Sequence, residues 1–384
     1  MQEMIERLTE QVVRKRLKSY PAVALLGPRQ CGKTTLAQSL DALYFDLETE
    51  ADQIKLDAQW SQIATSERLI ILDESQTMPA LFPRLRSTID QDRKRMGRFM
   101  LLGSVSPALM REVSESLAGR LALIELTPFL VQELPHHSID DLWLYGGYPD
   151  GGILQADRFL RWQNDYLALL VQRDLPQWGL PAKPMTTQKL LRMTAALHGQ
   201  SWNASQLGQS LGLNHQTVNS YMDYITGCFL VRLLEPYHAN TRKRLVKSPK
   251  VFWRDSGVLH AVMQTQTLDE LFAQPWVGAS WEGFVIEQLI NHLKAYDRVF
   301  TPYYLRTSDQ HEIDLLLDFG STLWAVEVKL TSSPDSDTAR RLNKTADLVN
   351  ADRRIIVSRT EETVITDAFV STNLMGVLEL LRTF

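Results

Sequence analysis

The stretch from Gly27 to Thr35 constrains the fold of this chain more than any other. Gly27 and Gly32 bracket Pro28, Arg29, Gln30 and Cys31, and Lys33, Thr34 and Thr35 follow. A Gly, four residues, then Gly-Lys-Thr allows the backbone to curl so that its N–H groups point inward at phosphate oxygens. In this pattern the lysine reaches the β- and γ-phosphates, and the first threonine hydroxyl ligates Mg²⁺. The flanks agree. Ala22-Val-Ala-Leu-Leu26 reads as a buried strand, and Thr34 to Leu40 reads as the opening of a helix, whose N-terminus favours an anion. The stretch therefore predicts a strand–loop–helix site for ATP with Mg²⁺, formed by Gly27, Pro28, Arg29, Gln30, Cys31, Gly32, Lys33, Thr34 and Thr35.

Further apolar runs follow at Leu43–Asp46, Leu69–Asp73, Phe99–Leu102 and Leu121–Leu126, separated by amphipathic stretches. This alternation predicts a parallel α/β sheet. The Leu69 run ends in Asp73-Glu74, and carboxylates at strand tips lie where open α/β sheets bind ligands. Asp73 is expected to hold Mg²⁺ through water, and Glu74 to orient and polarise the attacking water. Ser104 follows the next strand and would lie near the γ-phosphate if that strand sits between the other two; a helix-capping serine is the alternative. Gln76 is a candidate link from the acidic pair to moving parts, or a plain loop residue. Arg120 sits at the end of a helix-like segment, where it either binds helix carbonyls or serves as an arginine finger offered to a neighbouring subunit.

These residues resemble a known group. Gly-Pro-Arg-Gln-Cys-Gly-Lys-Thr-Thr, Leu-Asp-Glu-Ser-Gln, Leu-Leu-Gly-Ser and Ser-Leu-Ala-Gly-Arg are similar to the AAA module of a large family of bacterial and archaeal ATPases with a C-terminal domain of unknown function. Gly146-Gly-Tyr-Pro149 resembles the turn after that module's small lid. The resemblance runs over nearly the whole chain. It implies a strand inserted between the phosphate-loop strand and the Asp73 strand, and a homo-oligomer such as a hexameric ring. Ser75 departs from the bulky apolar residue of many members. Arg173-Asp174 resembles an arginine–aspartate pair of the family, with a helix-end ion pair as the alternative.

Residues 155–200 show helical spacing. Beyond them, Asn203 and Asn214 are placed to cap two helices broken at Gly212, a helix–turn–helix spacing. The second helix would present His215, Gln216 and Asn219 to a groove, although its exposed face has few cations. The run Asn240 to Lys250, with Arg242, Lys243, Arg244 and Lys247, is the densest basic stretch of the chain. It reads as a wing able to neutralise phosphates, or as a solvated loop. In the last third, Glu312–Asp318 and Leu323–Leu330 read as a hairpin turning at Gly320, with Glu282 on a preceding helix. Asp314, Glu327 and Lys329 then share one face, a set that resembles the core of restriction-endonuclease-like nucleases. The resemblance implies Mg²⁺ on Asp314 and Glu327, Lys329 orienting water, and Glu282 completing the acids. A surface salt-bridge set, or a nuclease fold kept for binding alone, is the alternative.

The expected organisation is an AAA-type domain (1–135), a helical lid or linker (136–200), a winged helix–turn–helix region (201–265) and a restriction-endonuclease-like α/β domain (266–384). A net charge of −4 gives no global nucleic-acid signature, so a DNA site would be a local patch. Two cysteines, Cys31 and Cys228, exclude a disulfide framework and fit a reducing cytoplasm. No run of about 18 apolar residues predicts a membrane span. The reading is a Mg²⁺-dependent oligomeric ATPase that couples hydrolysis to binding or remodelling of DNA, branched DNA included, with metal-dependent nuclease activity as an open addition. The alternative is a nucleotide-dependent switch that binds protein partners.

Overall fold

The computed structural model describes residues 5–103, 117–238, 247–307, 309 and 311–384. Ser104, Arg242, Lys243 and Arg244 lie outside them.

The apolar runs of the first third form one parallel sheet: β1 (Ala22–Leu26), β2 (Ala42–Asp46), β3 (Leu69–Asp73), β4 (Phe99–Gly103) and β5 (Leu121–Glu125), in the order β2-β3-β4-β1-β5. Parallel strands covered on both faces read as continuous hydrophobic runs, and every residue of β1 and β4 is buried. On one face Val23, Leu25, Met100 and Leu102 pack with Val12, Val13 and Leu36. On the other, Ala24, Leu72 and Leu101 pack with Phe82, Leu85 and Ile89. Strand β4 lies between β1 and β3, as the family resemblance implies. All five strands therefore end at the same edge, where Gly27 follows β1 and Asp73 closes β3.

The middle region is helical but not uniformly α. The Arg161–Leu169 helix widens into a looser turn at Leu170–Asp174 that buries Asp174. The helix–turn–helix follows at Ala204–Leu211 and His215–Gly227. Gly212 sits between the helices in the left-handed region (φ 67°), and Asn214 caps the second by accepting from Thr217 N at 2.7 Å. Leu207, Val218, Tyr221, Met222 and Ile225 form its core. Strands β6 (Val231–Leu234) and β7 (Lys250–Trp253) make an antiparallel ribbon.

The last third holds a mixed sheet: β8 (Thr301–Arg306), β9 (Glu312–Asp318), β10 (Leu323–Val328), β11 (Arg353–Val357), β12 (Val364–Ile365) and β13 (Val370–Thr372), ordered β12-β13-β11-β10-β9-β8. The Val277–Ala295 helix packs on it, and its apolar side joins Phe129, Trp143 and Phe252 in one core with Leu315 and Val326. The segment after β6 is stitched to this sheet by backbone bonds from Tyr237 N to Tyr304 O (2.7 Å) and from Tyr304 N to Glu235 O (3.0 Å). Among the described residues no helix is long and apolar enough to cross a membrane.

Two histidines are built into this junction as neutral rings. His198 Nδ1 accepts from Trp253 N at 3.0 Å, and its Nε2 lies 3.1 Å from Ala279 O. His260 Nδ1 faces Leu144 O at 2.9 Å, while its Nε2 meets Ser280 Oγ at 2.7 Å, which accepts from Trp143 Nε1. Burial pushes His198 down to about 3 and His260 down to about 4. Both folded values lie below the unfolded one. The stabilisation is complete above about pH 6.5 and is lost as pH falls towards 4, because the unfolded chain then binds more protons. Each ring is expected to contribute on the order of 3 kcal/mol across that window. Thermal unfolding followed from pH 7 to 4.5 should show a falling midpoint; a midpoint that holds steady, or rises, contradicts the assignment.

Candidate functional site

The phosphate loop takes its shape from a few close approaches. A Cβ on Gly27 would lie 2.1 Å from Leu126 O, so only glycine lets the loop leave β1 beside the end of β5. Gly32 has φ +96°, a conformation open to glycine, and Gln30 also takes a positive φ (62°). Arg7, which sequence patterning did not single out, holds the loop from behind. Its guanidinium donates to Cys31 O (2.8 Å) and Thr127 O (2.6 Å) and pairs with Glu133 (3.1 Å). Cys31 Sγ faces Leu126 O at 3.4 Å and is buried, so this cysteine is a packing element of the loop. Lys33 is buried, with Nζ donating to Gly27 O (3.1 Å) and Pro28 O (2.8 Å).

Thr34 and Asp73 meet. Thr34 Oγ1 donates to Asp73 Oδ2 at 2.8 Å, and Tyr44 OH donates to the same oxygen at 2.6 Å. Asp73 Oδ1 accepts from Glu74 N at 2.8 Å. Mg²⁺ at phosphoryl-transfer sites commonly takes one or two protein oxygens, with phosphates and water supplying the rest, and the Thr34–Asp73 pair fits that role. Among the described residues there is no group of three or more His, Cys, Asp or Glu side chains placed to hold a metal by themselves. Tyr44 was not anticipated, yet it has a sequence signal: alternation along β2 sets it two residues before Asp46, which pairs with Asp73. Burial, and then the Asp73 carboxylate, push its phenol well up, so it stays a donor.

Glu74 follows in the left-handed region (φ 48°) and accepts a hydrogen bond from Gln76 Nε2. Burial lifts its carboxyl above the ordinary value, while the Gln76 bond and the Lys33 charge pull it back. Gln76 is thus tied to Glu74 itself. Ser75 is fully buried and bonds Leu102 O at 3.3 Å, clipping the loop after β3 to β4. A hydroxyl can make that bond where a bulky apolar side chain cannot.

Arg29 turns away from the loop toward the middle region. Its Nε lies 3.3 Å from Asp174 Oδ2, and Arg173 Nε donates to Asp174 Oδ1 at 2.9 Å. With Asp174 only 2% exposed, the pair is more than a helix-end salt bridge: it joins the loop to the helical segment. Beside Gly32 and Thr35 opens a cleft of ≈ 610 Å³ walled by Ile5, Leu36, Phe129, Pro149 and Leu154.

Arg120 is not brought to this edge. It precedes β5, where its carbonyl accepts from Ala22 N (3.2 Å), so a strand length of roughly 16 Å separates it from its own loop. Its guanidinium grips Asp90 at 2.8 and 2.9 Å and also donates to Ala118 O at 3.0 Å. The Arg120 bond, with that of Arg93, holds Asp90 well below the usual carboxylate range.

On the helix–turn–helix, His215 and Gln216 are exposed. Asn219 Oδ1 accepts from Trp202 Nε1 at 3.0 Å, so its amide oxygen is committed inside the module. Lys247 is exposed, but Lys250, read as the last cation of the basic run, is not. It is 3% exposed, because β7 carries it into the C-terminal sheet, where Nζ meets Glu282 Oε1 (3.0 Å) and Glu312 Oε1 (2.6 Å).

The expected C-terminal set does converge. The antiparallel register of β9 and β10 reaches Val326↔Leu315, and its continuation sets Glu327 against Asp314. Asp314 Oδ2 accepts from Val328 N at 2.8 Å, and Lys329 Nζ pairs with Glu327 at 2.6 Å. Burial, and then the Asp314 charge, push both Glu282 and Glu327 up from the ordinary value. Lys250 pairs with Glu282 and Glu312 on one side of Asp314, while on the other Glu327 Oε1 pairs with Lys329 and its buried Oε2 has no hydrogen-bond partner among the described residues.

Comparison with known proteins agrees with this architecture. An AAA domain model matches residues 19–135, a Domain of unknown function (DUF8612) residues 136–269, and a Domain of unknown function (DUF4143) residues 277–375. The uncharacterized proteins Rv2008c of Mycobacterium tuberculosis and Mb2031c of Mycobacterium bovis are each 36% identical over 334 residues, 86% of this chain and 75% of theirs. A RuvB variant of Thermotoga maritima is similar at 17% identity and a TM-score of 0.28, over 59% of this chain and 86% of that one. The DNA clamp loader delta protein (YqeN) of Bacillus subtilis is similar at 16% and 0.25, over 57% and 88%. Likenesses at those scores carry no inference about this chain. The family models and the mycobacterial relatives do: this chain belongs to the family in which an AAA domain is followed by these two domains of unknown function.

Proposed function

We propose that this AAA protein is a Mg²⁺-dependent ATPase that works as a homo-oligomer and uses hydrolysis to act on DNA. The observation that carries the ATPase reading is the meeting of Lys33, Thr34, Asp73 and Glu74 at one sheet edge, with Thr34 and Asp73 2.8 Å apart. The loop amides and Lys33 would bind the β- and γ-phosphates. Thr34 and Asp73 would hold Mg²⁺, which when bound neutralises charge on the phosphates. Glu74 would orient the attacking water, with Gln76 fixing its carboxylate. The cleft beside Thr35 would take the base, its apolar walls covering the ring. Asp174, ion-paired with Arg29 and hydrogen-bonded by Arg173, would pass changes in the loop to the helical segment.

The DNA reading rests on the wing, whose basic run leaves Lys247 exposed, set beside a helix–turn–helix. Strand cleavage is left out of this reading, which takes the Lys250 pairs with Glu282 and Glu312 beside Asp314 as support. A second reading, a nucleotide-dependent switch for protein partners, is favoured by the His215–Gly227 helix, which has no Lys or Arg. One assay separates them. On the first reading, linear or branched duplex DNA stimulates ATP turnover severalfold at 50 mM salt, and the effect fades by about 200 mM as counterion release predicts. On the second, no DNA form alters turnover at any salt.

A further inference from the structure

Among the described residues, Lys250 is the most deeply buried lysine or arginine of the C-terminal half. It is 3% exposed, opens β7, and lies between Glu282 and Glu312 with Asp314 close behind. The rings of Tyr304 and Phe252 lie 5.5 and 5.9 Å from its ammonium. Burial works against its charge, yet Glu282, Asp314 and Glu312 together hold it protonated beyond the ordinary lysine range. The lysine arrives from a different part of the chain: the carboxylates belong to the Val277–Ala295 helix and β9, whereas Lys250 comes from the wing. The backbone bonds between Glu235, Tyr237 and Tyr304 run along the same seam, and Tyr304 OH donates to Ser248 O. A divalent ion would need short oxygen contacts in near-octahedral order. Here Glu282 Oε1 is already engaged by an ammonium, Asp314 Oδ2 by Val328 N–H, and Glu327 Oε1 by Lys329, which leaves the buried Glu327 Oε2 without a partner among the described residues.

We propose that the Lys250 ammonium is the resident cation of the Glu282–Glu312–Asp314 cluster, seating the wing on the C-terminal sheet in the place a divalent metal would need. The nuclease-like pattern is then a docking socket for the wing, and no metal-dependent cutting site. This inference is independent of the ATPase reading, so either can fail alone. It also ties the basic wing mechanically to the last domain, since displacing the wing withdraws Lys250 from its carboxylates.

The test uses the full chain without nucleotide, with Asp73→Asn in every sample to silence the phosphate-loop pair. Mn²⁺ binding is measured by electron paramagnetic resonance, and melting with and without Mn²⁺ by circular dichroism. The parent is expected to bind no Mn²⁺ through Asp314. Lys250→Met is expected to gain one Mn²⁺ per chain, to melt higher in its presence, and to lose both gains with Asp314→Asn. If Lys250→Met does not fold, Lys250→Gln carries the same comparison. The proposal is overturned if the parent binds Mn²⁺ at a site that Asp314→Asn removes. It is equally overturned if a folded Lys250 variant gains no Mn²⁺.

Discussion

Replacing Arg120 by Ala is expected to lower ATP turnover of the assembled protein by about 10³–10⁵ while leaving ATP binding intact. The size follows from the role: an arginine finger stabilises charge that develops only in the transition state, so its loss affects kcat and leaves ground-state affinity unchanged. The site follows from topology. Arg120 immediately precedes β5 at the edge opposite its own phosphate loop, so any service to a γ-phosphate is to a neighbour's. In the single chain the guanidinium is held by Asp90, an exposed pair weak enough to be exchanged for a phosphate at an interface. Specific activity should therefore rise with protein concentration. A mixture of Arg120→Ala with Glu74→Gln chains should regain activity that neither has alone, since one supplies the finger and the other the water-orienting carboxylate. Full activity of Arg120→Ala at high dilution would remove the finger from the mechanism.

The second large effect belongs to Glu74. Glu74→Gln keeps size and hydrogen bonding but removes the charge that polarises water, and is expected to cost about 10²–10⁴ in kcat. Gln76 should behave differently. It supports Glu74 by one hydrogen bond, so it is expected to act on turnover through Glu74.

The phosphate loop and the acidic pair were legible in the sequence because their chemistry depends on local spacing. Gly27, Gly32, Lys33 and Thr34 lie within one turn of chain, and Asp73-Glu74 is marked by the apolar run it terminates. The strand positions were legible for the same reason, since buried parallel strands leave continuous apolar runs. What stayed hidden depends on contacts between distant segments. Arg7 reads as one cation of an amphipathic start, and only the close packing of Cys31 and Thr127 makes it a brace for the loop. Asp174 was visible as half of a family pair, but its ion pair with Arg29 bridges 145 positions of chain. Lys250 looks like any member of a basic run until β7 is laid against β8 and the Val277–Ala295 helix. The cleft beside Thr35 has no sequence signature, because Ile5, Phe129 and Leu154 come from three separate segments.

The central claim is that the Lys33–Thr34–Asp73–Glu74 edge hydrolyses ATP, and side-by-side measurement of nucleotide occupancy and phosphate release tests it most directly. With Mg²⁺ present, wild type is expected to bind ATP and release phosphate. Glu74→Gln should bind ATP as tightly but retain it uncleaved, and Lys33→Ala should do neither. Phosphate release by Glu74→Gln at the wild-type rate, or by Lys33→Ala at all, would contradict the account.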